Sequence, residues 1–139
     1  MNFEDKLISG LLIKRYKRFF VDIKVGNKIV TAHCPNTGSM QGLLDKNNKV
    51  WLTKTANPNR KLKYTLQIIE NQNAKVGINT HITNKITLEA LKNSIIQKFK
   101  NFETVKQEVN FGSNTRFDFL ITKGTKKSFI EVKNVTLSR

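Results

Sequence analysis

Cysteine is nearly absent from this 139-residue chain: Cys34 stands alone, so an internal disulfide is excluded and a reducing compartment suffices. Proline occurs twice and glycine seven times, which leaves no proline- or glycine-rich linker and no low-complexity tract. No apolar run approaches the roughly 20 residues that a bilayer span requires, so no membrane segment is expected. The opening stretch MNFEDKLISGLLIKRYKRFF is not a signal peptide, because acids precede its short apolar run and no small-residue cleavage site follows. Cytoplasm is the expected location. Acidic residues are also scarce, 10 against 25 lysines and arginines.

The resulting charge of +15 points to a polyanionic partner, of which DNA is the expected one. Lysine outnumbers arginine 20 to 5 and asparagine reaches 16, a skew that an AT-rich genome also produces. The excess has no basic tail. Residues 1–80 carry 14 basic and 5 acidic groups, and residues 81–139 carry 11 and 5.

The stretch Glu108 to Lys133 holds the richest chemistry. Phe117–Thr122 and Ser128–Val135 are aromatic and β-branched, which predicts two strands. Between them Lys123-Gly124-Thr125-Lys126 supplies a turn in which Gly124 takes positive φ. A turn centred between Gly124 and Thr125 pairs residues whose numbers sum to 249, setting Asp118 opposite Glu131 and Arg116 opposite Lys133. Alternation then projects these four from one face and Phe117, Phe119, Ile121, Ile130 and Val132 from the other. An odd-length loop would separate the carboxylates. Opposed carboxylates require a cation or a shared proton. Asp118 and Glu131 are candidate ligands for Mg²⁺ or Mn²⁺, with Lys133 orienting the nucleophile of a phosphodiester hydrolysis. Ordinary ion pairs on a solvated face account for the same residues, and both readings stand open.

Upstream, short strands separated by turn clusters predict a small antiparallel barrel over residues 1–80. Lys14, Arg15, Tyr16, Lys17 and Arg18 are candidate nucleic-acid contacts, as are Arg116 and the later Arg60 and Lys61, whose turn either contacts phosphate or is simply solvated. In an extended chain Lys14, Tyr16 and Arg18 share a face, where cations meet phosphates and a ring meets a base. An edge strand protected by its charges is the alternative. Val25–Lys28 predicts a turn leading into a strand over Lys28–Cys34. The loop His33–Met40 either nests an anion or fixes a tight connection. His33 and Cys34 do not make a zinc site, since the other histidine is His81; a buried thiol is expected. Strands are predicted over Lys49–Thr55 and Tyr64–Glu70, with Arg60 and Lys61 in the basic turn between, and Lys75–Thr80 is expected to close the barrel. Beyond a boundary near Asn79–Lys85, Leu88, Leu91, Ile95, Ile96 and Phe99 fall at helical spacing, with Thr83 or Asn84 as N-cap. A strand over Thr104–Phe111 follows.

The stretches KRYKRFFVDI, TAHCPNTGSM, NPNRKLKY, EVNFGSNTRFDFL and FIEVKNVTL, in that order along nearly the whole chain, resemble the sugar fermentation stimulation protein A (SfsA) family. The resemblance implies a mixed α+β protein: an OB-fold-like barrel over 1–80 and, over 81–139, the first part of a PD-(D/E)XK nuclease-like α/β domain. It implies sequence-nonspecific DNA binding linked to sugar (maltose) metabolism. Asp118, Glu131 and Lys133 match the nuclease-like D…ExK triplet; Glu108 or Glu89 would be a fourth carboxylate, with a core or surface role the better reading of Glu89. Members continue past EVKNVTL with a helix and a further strand. The nuclease-like domain is therefore expected to be incomplete. A shortened gene, self-association and a complementing C-terminal segment from another chain are the consequences to weigh. Three functions follow as expectations: a DNA-binding protein, a metal-dependent nuclease, and an assembly module.

Overall fold

The computed structural model describes residues 2–72 and 74–137. They form two compact units, residues 2–80 with 135–137, and residues 81–134.

The first unit begins with β1 (Ile8–Tyr16), β2 (Phe20–Val25) and β3 (Lys28–His33), an antiparallel meander. After a loop, β4 (Lys49–Lys54) and β5 (Tyr64–Asn71) pair with each other, and β4 also pairs with β1. The barrel closes through a parallel contact of β3 with β5, Ala32↔Tyr64 and His33↔Thr65. The neighbour order β1-β2-β3-β5-β4-β1 is that of an OB-fold, as expected. Closure by the Lys75–Thr80 stretch is not what occurs. Instead β6 (Ala74–Gly77) folds back on the far half of β5, leaving the near half free to meet β3. Alternation sends Val21 and Ile23 of β2 and Val50 and Leu52 of β4 inward with Leu12 and Ala32, while Leu66 and Ile69, three apart on β5, both face in across a register shift. The loop after β3 adds Cys34, Met40 and Leu43 to that core, all wholly buried.

Gly10 lets β1 lie close over β2. A Cβ there would meet Ile23 Cγ2 at 2.7 Å and the Lys24 carbonyl oxygen at 2.8 Å. The stretch read as one extended basic strand is a hairpin end instead. Lys17 and Arg18 both take left-handed φ, 48° and 65°, and reverse the chain between Tyr16 and Phe20. Arg18 therefore does not continue the face of Lys14 and Tyr16.

In the second unit α1 (Thr83–Lys92) precedes β7 (Thr104–Phe111), β8 (Thr115–Lys123) and β9 (Lys126–Ile130), an antiparallel sheet in that order. The helix is shorter than its apolar spacing predicts. Ile95 N donates to Ala90 O and Ser94 N to Leu91 O, with Ser94 at φ 54°, so a Schellman turn ends it and leaves Ile95 exposed. Neither Thr83 nor Asn84 caps it; Ile82 occupies that position without a side-chain bond. Leu91, Phe119 and Ile121 form the core, flanked by Leu88, Val105, Ile130 and Val132 among others.

The β8–β9 register is Phe119↔Ile130 through Lys123↔Lys126, each pair summing to 249 as the turn length dictates. Two expectations fail nearby. β9 stops at Ile130 rather than reaching Val135, because the Asp118 side chain, not a strand carbonyl, receives the Val132 N–H. Phe117 leaves the core set and packs with Phe111 and Phe129, at ring separations of 6.2 and 5.1 Å. The β7–β8 register is continuous through Gln107↔Phe119 and Val109↔Phe117, although Glu108 between them takes a left-handed φ of 54°.

Candidate functional site

Asp118 is half-buried, and each of its oxygens has a donor. Oδ1 accepts from Asn84 Nδ2 at 2.9 Å and Oδ2 from the Val132 N–H at 2.7 Å. These bonds fix the carboxylate while leaving each oxygen a further lone pair. Glu131 follows the last paired residue of β9, Ile130, and its Oε1 is ion-paired with Lys133 Nζ. The Lys133 ammonium is held above the ordinary lysine range by its hydrogen bond to Glu131, next by the Glu131 charge, with Asp118 contributing. Asp118, Glu131 and Lys133 are thus electrostatically linked. Arg116 turns away to Glu108, its Nη2 at 2.6 Å from Oε2, both on the exposed surface. Glu108, the fourth carboxylate by the triplet pattern, is engaged there. Among the described residues no three His, Cys, Asp or Glu side chains converge. Two hard carboxylates suit Mg²⁺ or Mn²⁺, which complete their shells with water and phosphate.

On the barrel, the basic stretches fall at two loops. Lys17 and Arg18 form the β1–β2 loop and are exposed; Arg60 and Lys61 lie in the β4–β5 loop. In OB barrels these loops, with the β2–β3 face, receive oligonucleotides. Arg15 is different. Its Nε, Nη1 and Nη2 donate to the carbonyls of Arg18, Gly38 and Asn36, each at 2.7 Å, so it braces one loop against another. Arg60 Nη2 reaches Thr65 Oγ1 at 3.0 Å. Lys14 Nζ lies 5.4 Å from the Tyr16 ring centre, and Tyr16 stacks on Phe20.

The loop after β3 serves as a fixed connection. Buried Asn36 donates to Ile78 O and Thr136 Oγ1 and accepts from Gly38 N. Burial pushes the Cys34 thiol up, against the lowering influence of Arg15 and the Asn36 backbone.

One aromatic group escaped the reading of the sequence. Trp51, on β4, carries Lys49 Nζ at 5.2 Å and Lys75 Nζ at 4.9 Å from its ring centre. Lys49 was legible at strand spacing, two residues before Trp51. Lys75 comes from β6 and carried no local signal.

Fold and surface together define a basic OB-barrel protein with an appended helix and three-stranded sheet. Residues 13–78 match the SfsA N-terminal OB domain and residues 81–139 the sugar fermentation stimulation protein RE domain. The chain belongs to the sugar fermentation stimulation protein (SfsA) family. It is 56% identical over its whole length to a sugar fermentation stimulation protein homolog of Pelagibacter ubique, covering 60% of that protein. A homolog from Pseudoalteromonas atlantica is 48% identical over 99% of this chain and 60% of its own. The chain thus spans about 60% of the length of these curated relatives. In fold it is similar to Pyrococcus furiosus SfsA, solved in complex with Ca²⁺: TM-score 0.80, 22% identity, 96% of this chain and 56% of that one. No helix among the described residues is long and apolar enough to cross a membrane.

Proposed function

We propose that this chain binds DNA without strong sequence preference, through the β1–β2 and β4–β5 loops of its barrel. The observation that carries the reading is the placement of Lys17, Arg18, Arg60 and Lys61 at the two loops OB barrels use. The net charge of +15 supports it, since cations displace counterions from phosphates whatever the bases. Lysine-flanked Tyr16 and Trp51 add ring faces beside cations. A link to sugar metabolism rests on the family name. Fluorescence anisotropy with two unrelated duplexes tests the proposal. Affinities should agree within a few-fold and fall steeply with salt, whereas absent binding at low ionic strength refutes it.

A second reading, a metal-dependent nuclease of PD-(D/E)XK type, is favoured by the electrostatic link of Lys133 to both Glu131 and Asp118. Asp118 and Glu131 would hold Mg²⁺ or Mn²⁺, and the fold relative solved with Ca²⁺ shows an oxygen-seeking cation in a protein of this kind. The bound ion would supply charge stabilisation at a phosphodiester and an acidified water. This chain's own contributions would be a carboxylate fixed by Asn84 and Val132, and a Lys133 ammonium beside Glu131 that orients water. Nicking should vanish in Asp118→Ala and Lys133→Ala; equal activity in all three proteins identifies a contaminant.

A further inference from the structure

Trp51 is the chain's one tryptophan, and β4 turns it outward between the buried core residues Val50 and Leu52. Across the sheet it stands in the row Ser9, Trp51, Ile68, Gly77, contributed by β1, β4, β5 and β6. Ile68 is half-buried, while Ser9 and Gly77 at the two ends of the row are small and exposed. A Cβ at Gly77 would meet nothing within 4 Å, so the row is open at that end. The next row is Lys24, Leu11, Lys49, with Leu11 40% exposed. Ser9, Gly10, Leu11, Lys24, Gly26 and Lys49 line a shallow depression there. Lys75 is paired directly with Glu70, yet its ammonium turns to the Trp51 ring, 4.9 Å from the centre, and that of Lys49 comes to 5.2 Å. An indole and a leucine are thus set among three cations on the outside of the barrel. Lys24 and Lys49 stand at the ends of β2 and β4 remote from the β1–β2 and β4–β5 loops. The surface is therefore separate from the one proposed for duplex DNA.

We infer that this face binds a single-stranded nucleic acid segment, one base stacked on Trp51 and the flanking phosphates on Lys24, Lys49 and Lys75. The ring decides for a single strand. Lysines alone take any polyanion, but an indole contributes only when a base offers its face, which a duplex keeps inside its stack. Until then the two ammoniums cover the ring. A base that takes their place frees them, by a small shift of flexible side chains, for the phosphates on either side. Leu11, in the adjoining row, gives the next base an apolar contact. DNA and RNA strands offer the same chemistry.

Because Trp51 is the only tryptophan, its fluorescence reports the contact directly in the full chain. Oligothymidylate should quench the emission, and an abasic phosphodiester of equal length and charge should bind about fivefold more weakly without quenching. Trp51→Ala should weaken oligothymidylate by about fivefold or more and leave the abasic strand unchanged. Trp51→Phe, which keeps a stacking face, should stay within about threefold of the parent. Should the alanine variant fold poorly, the comparison of oligothymidylate with the abasic strand on the parent decides alone. Equal affinity for those two strands, or oligothymidylate binding without quenching, overturns the inference, and so does unchanged affinity in a folded Trp51→Ala. Oligouridylate run beside oligothymidylate identifies RNA or DNA as the source by the tighter of the two. Duplex anisotropy reads the loops separately. Duplex binding without quenching by single strands leaves only the loop proposal standing, and quenching without duplex binding leaves only this one.

Discussion

Asp118 Oδ2 accepts the backbone N–H of Val132 at 2.7 Å, so a side-chain carboxylate takes the place of the next strand acceptor where β9 ends. The same group holds Asn84 of α1. One residue thereby ties the helix to the segment carrying Glu131 and Lys133.

Replacing Asp118 is therefore expected to cost stability before any chemistry is considered. Asp118→Ala leaves two donors without their acceptor and should destabilise the chain by about 2–4 kcal/mol, given roughly 1.5–3 kcal/mol per hydrogen bond to a charged group and incomplete additivity. Glu131→Gln, on an exposed side chain, should cost less than 1 kcal/mol. Urea midpoints of the two variants, measured without metal, check the contrast.

The ordering of the Lys133 ammonium gives a pH signature. Its proton is held by Glu131 first, so Glu131→Gln should return the Lys133 titration toward the ordinary lysine value, read by ¹³Cε chemical shift. The sign follows from linkage. A raised folded-state value contributes stability below the unfolded pKa and loses it as pH rises through the folded one. Parent and variant should thus converge in stability at strongly alkaline pH, with Asp118 unchanged in both.

Arg15 is predicted to be a brace. Arg15→Lys should not rescue Arg15→Ala, because one ammonium cannot reproduce a planar fork shared among three carbonyls. Both variants should lose about 1–3 kcal/mol and show amide shifts at Arg18 and Gly38 in the absence of DNA.

Close packing at Gly10 yields a prediction about the barrel alone. Gly10→Ala forces a methyl into the Lys24 carbonyl and Ile23, contacts that rigid β2 backbone cannot concede. A loss of roughly 1–3 kcal/mol or more, by calorimetric melting, is expected.

Local rules carried much of this structure. The 249 register needed nothing beyond a two-residue turn at Gly124-Thr125, and β7 begins and ends at the residues its composition indicates. What failed was non-local. Closure of β3 on β5 joins residues more than 30 apart by a parallel contact that no turn announces. Phe117 leaves the core set for an aromatic cluster with Phe111 and Phe129, which brings together three strands and has no local signal. Around Asp118, the nearness of Glu131 and Lys133 was legible from spacing, whereas Asn84 and the Val132 N–H were not: Asn84 looked like a helix cap. The KRYKRFF stretch misled through its turn, since two non-glycine residues with positive φ leave no mark in composition.

The most direct test of DNA binding by the barrel loops is the salt dependence of duplex affinity for the parent chain and for a Lys17→Ala/Arg18→Ala/Lys61→Ala variant. Each lost phosphate contact should flatten the plot of log affinity against log salt by about 0.9. The account predicts a steep slope for the parent, a slope shallower by about 2–3 for the variant, and equal losses on unrelated duplexes. Identical slopes in the two proteins would contradict it.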